Sequence, residues 1–230
     1  MLSTLNNVGS HLMKPYIIPV TIANKILYYR FDGDLVDSWG TRHGTNATGN
    51  GSLISTADKY AGTHSASFNG ALGTSGGNYR LITFPSVSYG TNGVSVAFWL
   101  KRLGDSPNDY HVWAIGNLYV WGQRIGTSGV TPFNVMNDTR TDISITNNVW
   151  THITVTVNSS NVVNVYVNGI LLRSNITISG AYAATAAGRI GGVPVGNGGA
   201  NLNGYIDEFK IYNKVLTQAE VNAIYGNFDI

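Results

Sequence analysis

The chain has no cysteine, so a disulfide, a thiolate nucleophile and a cysteine-held zinc ion are all excluded, and the redox compartment stays open. Charge is nearly as scarce. Only 11% of the residues are Asp, Glu, Lys or Arg and the formal net charge is +2. Apart from Lys101-Arg102 the basic residues stand singly, which argues against a dedicated nucleic-acid surface. No apolar run is long enough to cross a bilayer. The patch from Pro15 to Ala23 is short, interrupted by Pro15, Pro19 and Thr21, and lacks the basic leader, long apolar run and cleavage site of a signal peptide. What fills the chain instead is Asn, Thr, Ser, Val and Ile, together with 28 glycines in 230 residues. That composition predicts many strands joined by tight turns, in one β domain large enough to bury a substantial core.

Ile26 to Phe31 reads as the first strand of the domain, followed by a loop crowded with Asp32, Asp34 and Asp37. The carboxylate spacing superficially suits an EF-hand, but no glutamate stands at the twelfth position and no helices flank it, so that motif is rejected. Read without a metal, the three are residues of Asx turns. The Gly-rich run from Gly73 to Asn78 has no lysine-serine pair after it and is an inter-strand turn rather than a phosphate cradle. Val94 to Leu100 alternates with bulk on both faces, which predicts a central strand.

Gly116-Asn117 signals a tight hairpin. That turn pairs Ile115 with Leu118, Trp113 with Val120 and His111 with Gly122. If this face is core, the other displays Tyr110, Tyr119 and Trp121 near Gln123. Flat aromatic rings stack on the apolar faces of sugars while a neighbouring amide bonds the hydroxyls, so these four are candidate glycan-binding residues. The alternative is that both faces of the hairpin are buried. His152, on the strand opened by Trp150, reads as a hydrogen-bonded sheet histidine rather than a base. Asn168-Gly169 marks a second hairpin.

The closing stretch carries the strongest signals. A strand from Gly204 to Tyr212 places Tyr205, Asp207, Phe209 and Ile211 on one face by strict alternation. A carboxylate among large apolar residues must be paired, hydrogen-bonded or metal-bound. A helix follows, with Thr217 as N-cap, Glu220 closing the capping box, Leu216 placed against Val221, and Gly226 ending it. It is too short to stand alone, so its Val221, Ile224 and Tyr225 stripe must lie on a larger body.

Taken in order, YYRFDGDLVDSWGTRHGTN, HSASFNGA, VSVAFWLKR, NNVWTHITVTVNSSNVVNVYVNGILL and NGYIDEFKIYNKVLTQAEVNAIY resemble laminin-G-like domains of the concanavalin A-like lectin and glucanase group. The similarity runs from Lys25 to Tyr225 and implies an all-β fold: a two-sheet antiparallel jelly-roll sandwich with one short C-terminal helix. The domain spans residues 25–230, leaving residues 1–24 as an N-terminal arm or extra edge segment. The resemblance also implies a structural calcium ion between the opening loop, a carbonyl near the second strand and the aspartate of the closing strand, which here map to Asp32, Asn69, Gly70 and Asp207. Oxygen-only ligands suit calcium.

Glucanases of this fold carry a Glu-x-Asp-x-x-Glu motif that the chain lacks, and glycoside hydrolysis needs two suitably spaced carboxyl groups. No nucleophile elbow stands in for it. The expectation is therefore a non-catalytic, calcium-stabilised glycan-binding or adhesion module at an extracellular or virion surface. Its partner is then a glycan or polysaccharide, with neighbouring protein subunits reached through the arm. The competing reading is a purely structural subunit of a virion or extracellular assembly, with a polysaccharide-active enzyme third.

Overall fold

A computed structural model of the chain describes residues 21–47, 53–70, 80–89, 91–104, 110–122, 130–135, 143–178, 185–192 and 200–226. The N-terminal arm up to residue 20, the Gly73–Asn78 run and Gln123 lie outside the described residues. The elements are, in chain order, β1 (Lys25–Tyr29), β2 (Thr45–Asn46), β3 (Ile54–Ser55), β4 (Ser65–Asn69), β5 (Ile82–Ser88), β6 (Val94–Arg102), β7 (Tyr110–Ile115) and β8 (Leu118–Gly122). Then come β9 (Val130–Val135), β10 (Ser144–Thr146), β11 (Thr151–Val157), β12 (Val162–Val167), β13 (Ile170–Thr177), β14 (Thr185–Ile190), β15 (Ala200–Asn201), β16 (Asn203–Tyr212) and the helix α1 (Gln218–Tyr225).

The strands form two sheets. One runs β13-β12-β11-β6-β16-β4-β3 with β1 also on β16, and the other runs β10-β9-β8-β7-β14-β5-β2 with β15 on β7. All pairings are antiparallel except that of the two-residue β15, which runs parallel to β7. The jelly-roll sandwich with one C-terminal helix expected from the sequence is the fold observed. β6 is central as its two apolar faces require: Val94, Val96, Phe98 and Leu100 enter the inter-sheet core, while Ala97 joins a second cluster outside it.

Rings carry the core from sheet to sheet. Phe98 meets Phe209 at 5.9 Å between centroids, Phe209 meets Phe84 of the opposite sheet at 6.3 Å, and Phe84 meets Tyr29 at 6.2 Å. Truncating any of these rings costs about 3–5 kcal/mol in transfer and cavity terms. Phe84 has its place because Gly188 faces it: a Cβ there would stand 1.9 Å from Phe84 Cζ.

The outer face of the first sheet is covered. Helix α1 sets Val221 and Ile224, and the segment leading into it sets Leu216, against Ala97, Tyr166, Tyr212 and Ile22. Its capping box forms as the sequence predicts, with the Glu220 amide donating to Thr217 Oγ1 at 3.3 Å and the Thr217 amide donating to Glu220 Oε2 at 2.9 Å. Such a cap contributes about 1 kcal/mol to a helix that could not persist alone.

Five strand pairings shift register, and two of these shifts change which side chains share a face with the expected site residues. On β16 the register to β6 shifts between Asp207 and Lys210, and Glu208 adopts φ 53° there. On β7 the register to β8 shifts between His111 and Trp113. A bulge inserts one unpaired residue, so every side chain beyond it changes face relative to the simple pattern.

Candidate functional site

The β7–β8 hairpin sits in the second sheet, and its bulge decides which aromatics face outward. Beyond Val112, His111 pairs with Trp121 and Tyr110 with Gly122, instead of His111 with Gly122. Tyr110 therefore points into the core and is 1% exposed, which corrects the expectation that it is displayed. The chemistry of the pocket explains the choice. Gly122 offers no side chain, so the Tyr110 ring lies against its Cα, where an added Cβ would stand 2.2 Å from the ring. The Arg102 guanidinium rests 5.1 Å from the centre of the same ring, and its Nη2 donates to the Gly104 carbonyl at 2.8 Å.

The outward face keeps His111, Tyr119 and Trp121, all half-buried. His111, expected in the core, stacks on Tyr119 with ring centroids 4.9 Å apart and planes 11° from parallel. This stack fixes the orientation of the Tyr119 ring beside Trp121. Residues opposite one another in adjacent strands share a face, and the pairings extend this face into a row: Thr45 opposite Thr83, Thr83 opposite Arg189, Arg189 opposite Ala114, Ala114 opposite Tyr119. At about 4.8 Å per strand the row is roughly 19 Å long. Arg189 had no signal in the sequence beyond alternating with Gly188 and Ile190 in a short strand; only the register brings it beside the aromatic hairpin.

The four candidate calcium ligands are divided by the structure. Asn69 pairs with Asn203 in the β4–β16 ladder, four residues along β16 from Asp207 and so about 13 Å away. Asn69 and Gly70 thus belong to the other end of that strand pair. Asp207 faces outward with Trp99, to which it is paired, rather than sharing a face with Phe209 and Ile211, again because of the bulge. It is fully buried. Its Oδ2 accepts from the amides of Tyr60 at 2.9 Å and Ala61 at 3.1 Å, and its Oδ1 from the amide of Glu208 at 2.9 Å. Burial pushes its carboxyl up to about 7 against the pull of those three amides. Asp32, exposed, accepts from the Thr63 amide at 2.6 Å. Both aspartates therefore hold the loop that contains residues 58–64, and the four residues do not converge into one oxygen shell. Among the described residues no group of three or more His, Asp or Glu side chains is placed to hold a metal. Asp34 and Asp37 cap loop amides as the Asx-turn reading predicts: Asp34 Oδ1 accepts from Val36, and Asp37 Oδ1 accepts from both Tyr28 and Trp39.

The same loop is fastened by aromatic contacts. Tyr60 stacks on Trp99 at 3.4 Å, and Trp150 Nε1 donates to Asp58 at 2.9 Å. Burial opposes the charge on Asp58, yet hydrogen bonds from Lys101 and Trp150 hold its carboxyl below the usual range. His152 lies under this layer, 1% exposed, with Trp99 at 5.1 Å and Tyr225 at 5.7 Å. Its Nδ1 has no hydrogen-bond partner, so the expected hydrogen-bonded sheet histidine is instead an apolar-boxed one. Burial, with the Lys210 charge adding to it, lowers it to about 3.

Comparison with known proteins places this geometry. Residues 75–222, well over half of the chain, match the family model described as concanavalin A-like lectin/glucanases superfamily. Among solved structures, domain 4 of AbnA, a GH43 extracellular arabinanase from Geobacillus stearothermophilus solved with arabinotriose, is 28% identical with a TM-score of 0.66. The match covers 87% of this chain and 98% of that domain. A botulinum neurotoxin type C structure, whose cell entry depends on two ganglioside molecules, is 18% identical with a TM-score of 0.61, covering 90% of this chain and 52% of that one. The binding domain of botulinum neurotoxin DC, solved with rat synaptotagmin II, is 16% identical with a TM-score of 0.60, covering 90% and 52%. At those identities the toxin likenesses show the fold, and this chain spans about half of each toxin chain. No curated protein sequence matches the chain. The sandwich, its closing helix and the family match together make this chain a member of the concanavalin A-like lectin/glucanases superfamily.

Proposed function

We propose that this chain is a non-catalytic glycan-binding module, acting outside the cell, that takes sugar on the outward face of its second sheet with Tyr119 and Trp121 as the stacking surfaces. The observation that carries this reading is the outward aromatic pair held in place by the parallel His111–Tyr119 stack. A ring oriented before the ligand arrives loses little freedom on binding, and stacking on the apolar face of a sugar is worth most under that condition. The similarity to an arabinanase domain solved with arabinotriose supports it, since that domain is matched over nearly its whole length.

The non-catalytic part of this reading is supported by where the two glutamates stand. Glu220 closes the helix cap and accepts from Lys214 Nζ at 2.6 Å, and Glu208 accepts from the Tyr28 hydroxyl with Lys210 Nζ 3.7 Å away. Neither is a free acid or base across a sugar-binding face.

Calorimetric titration with arabinotriose and a panel of neutral oligosaccharides tests the proposal. Binding by the native chain, weakened about tenfold or more in both Tyr119→Ala and Trp121→Ala with unchanged melting temperature, is the expected result. No binding across the panel, or binding indifferent to both substitutions, overturns it.

A further inference from the structure

Arg189 stands at the centre of the outward row, between Thr83 and Ala114 and two strands from Tyr119. Its side chain makes no hydrogen bond or ion pair with any described residue, and its Nε is buried with no partner. Burial alone holds its pKa below the usual arginine value. A guanidinium carries five donors in a rigid fork that fits a carboxylate through two parallel hydrogen bonds, and leaving such donors buried and unpaired is unfavourable. Every other side chain in the row, Thr45, Thr83, Ala114 and Tyr119, is uncharged, so nothing among them neutralises Arg189. Three other cations of the described residues are met by carboxylates: Lys101 by Asp58, Lys210 by Glu208 and Lys214 by Glu220.

We infer that Arg189 is a carboxylate-binding residue and that the glycan taken by this module is acidic, carrying a uronic or sialic acid whose carboxylate pairs with the guanidinium while a sugar ring lies on Tyr119. This deepens the proposed function and rests on it. Two strand spacings, about 10 Å, separate the guanidinium's strand from that of the tyrosine. The acid therefore belongs to the stacked sugar or to the residue joined to it, and Thr83 and Thr45 offer hydroxyls to the chain beyond. The pairing is partly solvent-exposed and is screened by salt.

Four probes form two matched pairs: trigalacturonate against galactotriose, and sialyllactose against lactose. They are titrated into the native chain and into Arg189→Gln at low and at high ionic strength, with melting temperatures recorded alongside. In at least one pair, the acidic probe is expected to bind the native chain about tenfold more tightly than its neutral counterpart. That preference should shrink in high salt and vanish in Arg189→Gln, with neutral binding and melting temperature retained. Which pair responds separates uronic from sialic acid.

Neutral binding without acidic preference, or a preference that survives in Arg189→Gln, overturns the assignment of Arg189 and leaves the glycan module standing. Binding of no probe at all counts against both. A fall of several degrees in the melting temperature of Arg189→Gln makes Arg189 a structural residue and overturns the inference, because an unpaired cation held for a ligand contributes little to the fold.

Discussion

Two buried groups on the outer face of the first sheet give the chain opposed responses to acid, and separating them tests the packing of the loop of residues 58–64 over Trp99. His152 is lowered from 6.5 to about 3 by burial and by the Lys210 charge. A depressed histidine leaves the unfolded chain binding the extra proton, so its contribution to stability is whole above about pH 6.5 and is lost as the pH falls toward 3. Asp207 is raised from 3.8 to about 7 by burial, with three amides opposing and the Glu208 charge adding. Here the folded chain holds the extra proton, so its contribution is whole below about pH 3.8 and is lost as the pH rises through 7. At pH 5, one and a half pH units below the unfolded histidine, the first effect costs about 2 kcal/mol relative to pH 7.5. The second contributes about 2–3 kcal/mol over the same interval. In the native chain the two nearly cancel. Urea unfolding at pH 7.5 and pH 5.0 should therefore show His152→Phe gaining about 2 kcal/mol more on acidification than the native chain does, and Asp207→Asn losing about 2–3 kcal/mol relative to it. The remaining carboxylates are common to all three proteins and drop out of the comparison. Variants that track the native chain at both pH values would show that neither side chain is buried as described, and the covering loop would not be packed on the sheet.

Two other perturbations read different parts of the fold. Gly188→Ala drives a methyl group to within 1.9 Å of Phe84 Cζ, a buried ring packed between Tyr29 and Phe209, so a thermal melt should fall by about 5–10 °C, equivalent to about 2–3 kcal/mol; an unchanged midpoint would place Phe84 elsewhere. Melting in calcium and then in EDTA should leave the midpoint unmoved, because Asp207 already spends both oxygens on three amides. A shift of several degrees that disappears in Asp207→Asn would restore the ion site implied by the family resemblance.

The architecture was legible because it rests on local signals that tertiary context does not overrule. The bulk on both faces of Val94 to Leu100 placed β6 in the middle of its sheet, Asn168-Gly169 turned its hairpin, and Thr217 with Glu220 opened the helix. The site was legible only in composition. Tyr119 and Trp121 do face outward, but Tyr110 and His111 exchange faces at the Val112 bulge, and Asp207 leaves the side of Phe209 at the Glu208 bulge. A single inserted residue inverts a period-two pattern while leaving its letters unchanged, so periodicity carries no mark of it. Gln123 lies outside the described residues.

The sequence by itself determined the strand-rich class, the hairpins, the capped closing helix and the lack of a Glu-x-Asp-x-x-Glu run, since each depends on residues near one another in the chain. Tertiary structure alone decided that Asp207 clips a loop 146 residues away, that Asn69 is remote from it, and that Arg189 joins the aromatic face. These are matters of register between strands distant in sequence. Register follows from how all the strands bury their apolar faces together, which no single stretch encodes.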